Sequence, residues 1–210
     1  MHWNNMLKFI PIFAVVLLCS TGWADDCLQY KITPKITINQ PDWTKTVVQP
    51  EESMELWNHG NVVASLVEKN QVVADVKFIK TGFCVILKEI NVIYGYEDFL
   101  VKIDKSYVPD TCAYNAVLNH ENKHIQTYLS VIDDNKTELH QTVFDAADSV
   151  MPIFVEKKSQ VDAAIEQLNQ AYQEYPGLVL IKQKIKAAEE IKNKKIDQDE
   201  DGVELMNCFE

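Results

Sequence analysis

The sequence predicts an α+β protein: a mostly antiparallel N-terminal sheet packed on a long helix, followed by a helical C-terminal extension. Three observations predict it. From Cys27 to about Ile103, β-branched and aromatic residues alternate with polar ones. From Thr111 to Val150 there is no Gly or Pro, and apolar residues recur at helical spacing. Strands come first in the chain and helices after, which favours α+β over a parallel α/β sheet.

The chain opens with His2 and Lys8, then an uncharged, largely apolar run from Phe9 to Cys19, then Thr21-Gly22-Trp23-Ala24. This is the pattern of a secretory signal peptide over residues 1–24, with cleavage after Ala24. The apolar run is about half of the ~20 residues needed to cross a bilayer, so no membrane association is expected after cleavage.

Five strand regions follow. Gln29 to Asn39 alternates through Tyr30, Ile32, Ile36 and Ile38. Asn61–Val67 and Val72–Ile79 are expected to pair as a hairpin through the polar link at residues 68–71. Phe83–Tyr94 and Phe99–Ile103 are expected as two strands separated by a turn at residues 95–98. A short helical turn fits Glu51–Gly60. Four to six strands result.

Val108-Pro109-Asp110-Thr111 marks the entry to the long helix, with Asp110 or Thr111 as cap. Asp133-Asp134-Asn135 is the one place where it is expected to break. A second helical stretch is expected from Val155 to about Gln173, and a lysine-rich one from Leu178 to Ile196 after Tyr175-Pro176-Gly177. The domain division is therefore 25–151 for the α+β domain, 152–196 for the helical extension and 197–210 for an acidic tail.

Net charge is −11, and all twenty basic residues are lysine. An acidic surface without guanidinium groups argues against nucleic acid as a partner. The mature chain keeps Cys27, Cys84, Cys112 and Cys208, an even number that suits two disulfides in an oxidising compartment. Three connectivities are open; Cys84 with Cys112 and Cys27 with Cys208 is the preferred one.

The chemistry lies in His120-Glu121-Asn122-Lys123-His124. Residues four apart stack on one helix face, so both imidazoles reach one zinc ion. Zinc lowers the pKa of its bound water from about 15.7 towards about 7, and Glu121, between the histidines, is the general base that takes the proton. On the helix, Glu121, His124 and Tyr128 fall on or beside the apolar stripe, with Asn119, Lys123, Gln126 and Ser130 opposite. The function this predicts is a secreted or periplasmic zinc-dependent metallopeptidase acting on a peptide or protein substrate.

The run from Cys112 to His124 resembles the core of small secreted bacterial proteins described as zinc-dependent proteases. The resemblance covers Phe83 to Leu129, about a fifth of the chain, and its specific part is the His-Glu-x-x-His run. It implies a zincin-like arrangement, a sheet with a nearby strand packed on the motif helix.

No third zinc ligand follows the motif at short spacing. On a continuous helix, Glu138 and His140 lie about 20 Å or more from His124. Glu174, at a helix break that an antiparallel return would carry towards the motif, is the leading candidate; His59 beside Gly60 is another. A strand such as Ile90–Tyr94 is expected to bind an extended substrate along its edge.

Asp197-Gln198-Asp199-Glu200-Asp201-Gly202 matches the first half of a calcium-binding EF-hand loop, with Asp197, Asp199 and Asp201 as ligands for Ca²⁺. The second half departs from it: Glu204 stands at position eight and Cys208 at position twelve. The competing functional class is a non-catalytic exported module in which the helices of residues 111–196 bind a protein partner. Glu121 discriminates the two.

Overall fold

A computed structural model of the chain describes residues 27–52, 59–200 and 203–208. The expected signal peptide lies outside the described residues, as does most of the helical turn expected over Glu51–Gly60.

The strands are β1 (Lys35–Asn39), β2 (Thr44–Val48), β3 (Gly60–Ile79), β4 (Gly82–Ile103) and β5 (Ile153–Val155). The helices are α1 (Cys112–Ser149), α2 (Val161–Gln173), α3 (Pro176–Glu200) and α4 (Val203–Met206). The sheet is built around β4. Antiparallel β3 lines one edge of it from the Gly60↔Ile103 pair to the Ile79↔Gly82 pair. The opposite edge takes β5 at residues 83–85, β1 at 89–93 and β2 at 98–102.

Sequence and structure differ here in three ways. First, the expected link at 68–71 and turn at 95–98 are absent, and β3 and β4 are each continuous. Glu68, Lys69 and Gln71 are polar because they are exposed on an edge strand, not because the chain turns. The reversal is instead the two-residue turn Lys80-Thr81. Charged residues are absorbed as bulges: the register steps over Glu97 between Ser65 and Leu66, and over Lys88 between Val73 and Ala74.

Second, the sheet is mixed: β1 and β2 run parallel to β4. Lys35 pairs with Glu89 and Thr44 with Asp98 at the same sequence offset, so the two strands are halves of one track. The track breaks at Gln40–Trp43, where Pro41 has no N–H to give. Opposite stands Gly95 at φ 151°, where a Cβ would lie 3.0 Å from Pro41 Cδ. Alternation predicts a strand, but neither short strand is tied to β4 by a tight turn, so direction was open. One consequence is that Ile90–Ile93 has partners on both sides and offers no edge to a substrate, while Tyr94, the end of the expected edge, pairs with Glu68 of β3.

Third, the disulfides are Cys27–Cys84 and Cys112–Cys208. Side chains alternate along β4. Val85 and Leu87 join the main core, whereas Cys84 and Ile86 face the other way and pack with Cys27. Cys84 therefore cannot reach Cys112 on the helix side.

Helix α1 starts where Thr111 Oγ1 accepts from the Tyr114 N–H at 3.3 Å. It continues through Asp133-Asp134-Asn135, because buried Asn135 donates to the Val131 carbonyl at 2.8 Å and leaves the helix ladder intact. The segment after residue 151 enters the sheet as β5 and reaches α2 through a 3₁₀ turn at Lys158–Gln160, so the helix expected from Val155 starts at Val161. Leu168 and Tyr172 of α2 and Ile181 and Ile185 of α3 share one core with Ile90, Phe99, Ile125 and Val143. Each such burial contributes about 1.5–3 kcal/mol.

Helix α3 returns antiparallel to α1. A Cβ on Gly177 would meet Thr142 Cγ2 at 3.2 Å, near one end. At the other end Asp197 lies beside His124 and His120.

Candidate metal centre

The two motif histidines are one turn apart on α1, their ring centroids separated by 4.9 Å. His124 Nε2 lies 3.1 Å from His120 Nε2. Asp197 Oδ1, from the last turn of α3, lies 3.0 Å from His124 Nε2 and 3.5 Å from His120 Nε2. These are the three His, Cys, Asp or Glu side chains that converge at metal-ligand spacing among the described residues. A zinc ion with bonds of about 2.0–2.1 Å separates its tetrahedral ligands by about 3.3 Å. The donor triangle matches one face of that tetrahedron.

Asn193, four residues before Asp197, supports the arrangement. Its Oδ1 accepts from His124 Nδ1 at 2.9 Å. With the ring proton held at Nδ1, a neutral His124 turns the Nε2 lone pair towards Asp197 and His120. Lone pairs of a carboxylate and a neutral imidazole 3.0 Å apart repel, so the contact requires either a proton on Nε2 or a metal ion shared by the two groups. His124 is largely covered, whereas Asp197 is exposed, so the centre opens to solvent on the α3 side.

Glu121 lies on the sheet side of α1 and is 4 % exposed. Burial, and then the Asp197 carboxylate, push its pKa up to about 7. Its roof is Gly60, the first residue of β3. A Cβ there would stand 2.4 Å from Glu121 Oε1 and 2.8 Å from Val117 Cγ1. Glycine is required by this close approach of backbone to carboxylate.

The other candidates lie elsewhere. Glu174 caps the C-terminus of α2, is exposed, and accepts from Gln170 Nε2 at 2.7 Å. The corner at Tyr175–Gly177 packs near Thr142, about 27 Å along α1 from His124. Antiparallel return carries the far end of α3, not its beginning, to the motif. His59 Nδ1 is hydrogen-bonded to the Tyr107 hydroxyl. Glu138 pairs with Lys184 on the surface, and His140 is exposed. Asp197 sits in α3 and faces the histidines rather than opening a calcium loop. The Asp199 side chain and Asp201 lie outside the described residues.

Sequence reasoning missed Asp197 and Asn193 as partners of the motif. A signal was present. The face of α3 towards α1 runs Leu178, Ile181, Ile185 and then turns polar at Glu189, Asn193 and Asp197, each four apart. A polar continuation of an apolar stripe marks where the facing helix carries polar groups too.

Known protein families, curated proteins and solved structures contain no significant match to the chain.

Proposed function

We propose that this protein is a zinc-dependent peptidase or related amide hydrolase, with His120, His124 and Asp197 as metal ligands and Glu121 as general base. The observation that carries the reading is the convergence of two imidazole Nε2 atoms and one carboxylate oxygen at 3.0–3.5 Å, one residue from a buried glutamate. Bound zinc would supply a Lewis acid that acidifies water and polarises a carbonyl oxygen.

The chain's own groups do the rest. Asn193 holds the His124 ring in the tautomer that presents Nε2. Glu121, walled by Gly60 and Val117, is kept in one place to accept the proton of an attacking water and hand it to the leaving amine. Among the described residues, no strand pairs with the outer edge of β3, which begins at Gly60. An extended peptide laid along that edge would pass close to Glu121.

Two disulfides favour an oxidising compartment, in keeping with export. No described helix is long and apolar enough to cross a membrane. The testing experiment is hydrolysis of a denatured protein substrate such as casein by zinc-loaded protein and its Glu121→Gln variant. Hydrolysis lost in the variant supports the reading; equal hydrolysis, or none by the wild type, opposes it.

A further inference from the structure

The third donor sits at the end of α3, and little apolar packing holds that end. Beyond Ile185 the small Ala188 still packs against the core, but the face towards α1 is Glu189, Asn193 and Asp197, held by the Asn193–His124 hydrogen bond, and Ile191 points outward at 70 % exposure. The Lys192–Asp134 ion pair at 2.7 Å is on the surface, where such pairs contribute about 0–1 kcal/mol. Helix ends with so few apolar contacts open readily.

A covalent link compensates. Cys112, the first residue of α1, is bonded to Cys208 across a sequence separation of 96. Cys112 precedes His120 by eight residues and Cys208 follows Asp197 by eleven. The cystine thus joins the two ligand-bearing segments close to the ligands themselves. Between Asp197 and Cys208, helix α4 packs on α1, and Leu205 is partly buried against the core. Cys27–Cys84 is unlike it: this bond lies in a separate cluster with Ile86, packed by Tyr30, Ile79 and Phe154.

We propose that Cys112–Cys208 is a positioning element of the metal centre: it holds Asp197 within reach of an ion bound by His120 and His124. The inference rests on the zinc reading of those three residues. A short tether raises the effective concentration of the tethered group to the millimolar range, and its loss leaves a two-histidine site with an untethered carboxylate. The centre is then complete only in a chain oxidised at this pair.

The test is zinc affinity, measured by competition with a chromogenic chelator, on the purified disulfide-bonded protein. Cys112→Ser/Cys208→Ser is expected to bind zinc at least tenfold more weakly while keeping its circular dichroism. Cys27→Ser/Cys84→Ser is expected to stay within about twofold of wild type. In an Asp197→Ala background, loss of Cys112–Cys208 is expected to change affinity by less than about twofold, because the positioned donor is gone.

Equal affinity with and without Cys112–Cys208 overturns the proposal. So does an equal loss in the Asp197→Ala background, which marks a purely structural crosslink. A wild type that binds no zinc overturns the metal reading and this proposal together. If Cys112→Ser/Cys208→Ser does not fold, the same comparison uses folded Cys27→Ser/Cys84→Ser protein before and after reduction. A phosphine converts the disulfide to two thiols while taking the oxygen of a water, and iodoacetamide then caps the thiols. A tenfold loss supports the proposal and none overturns it.

Discussion

The Cβ that Gly60 lacks would stand 2.4 Å from Glu121 Oε1, so the first residue of β3 and the general base of the motif occupy adjoining space. The sheet and the motif helix meet at this point, and a side chain there would have to displace a buried carboxylate. Gly60→Ala is expected to destabilise the fold by ~1–3 kcal/mol, the usual cost of overpacking. Hydrolysis is expected to fall more than zinc binding, because the displaced group is Glu121 and not a ligand. Urea denaturation and zinc titration of the variant check both.

Glu121→Gln is expected to keep zinc affinity within a few fold of wild type and to lower kcat by about 10²–10⁴, the range for losing a general base. The amide occupies the same space under Gly60 but accepts no proton. Unchanged hydrolysis would favour a binding role for the chain.

The Asn193 carbonyl oxygen accepts from His124 Nδ1 at 2.9 Å. Groups in this position orient a metal-bound imidazole, and removing them weakens metal binding about 10–100-fold. Asn193→Ala is expected to lose zinc affinity in that range with no change in secondary structure. Chelator competition and circular dichroism measure the two.

Glu189 is buried beside Tyr96, with Oε1 lacking a hydrogen-bond partner. Burial raises its pKa, against an opposing hydrogen bond from the Tyr96 hydroxyl; Glu190 adds to the rise and Lys186 opposes it. The folded state therefore holds this proton more tightly than the unfolded state. Its contribution to stability is complete below the ordinary glutamate pKa of about 4.3 and is lost as pH rises through the folded value. Glu189→Gln is expected to be more stable than wild type at about pH 7.5 and to lose that advantage at about pH 4. Denaturation midpoints at the two pH values decide; an equal difference at both would contradict the account.

What the sequence revealed was what neighbouring residues decide. Helix α1 was legible because its stripe and its Thr111 cap are local, and the motif because four-residue spacing is a helix property. The polar stretch 68–71 misled because an exposed edge strand need not keep its apolar alternation. The directions of β1 and β2 depend on where distant strands lie, which alternation does not encode. Likewise Asp197 is separated from His124 along the chain by strand β5, a 3₁₀ turn and helix α2. Its role follows from α3 running back along α1 far enough for its end to meet the motif. Glu174 lies at the opposite end of that return, at the corner near Thr142.

The most direct test is the zinc content of the purified protein, by elemental mass spectrometry, beside His124→Ala and Asp197→Ala. The account predicts about one zinc per chain in wild type, lost in His124→Ala and strongly reduced in Asp197→Ala. Wild-type protein that holds no zinc after zinc is offered and the excess washed away would contradict it.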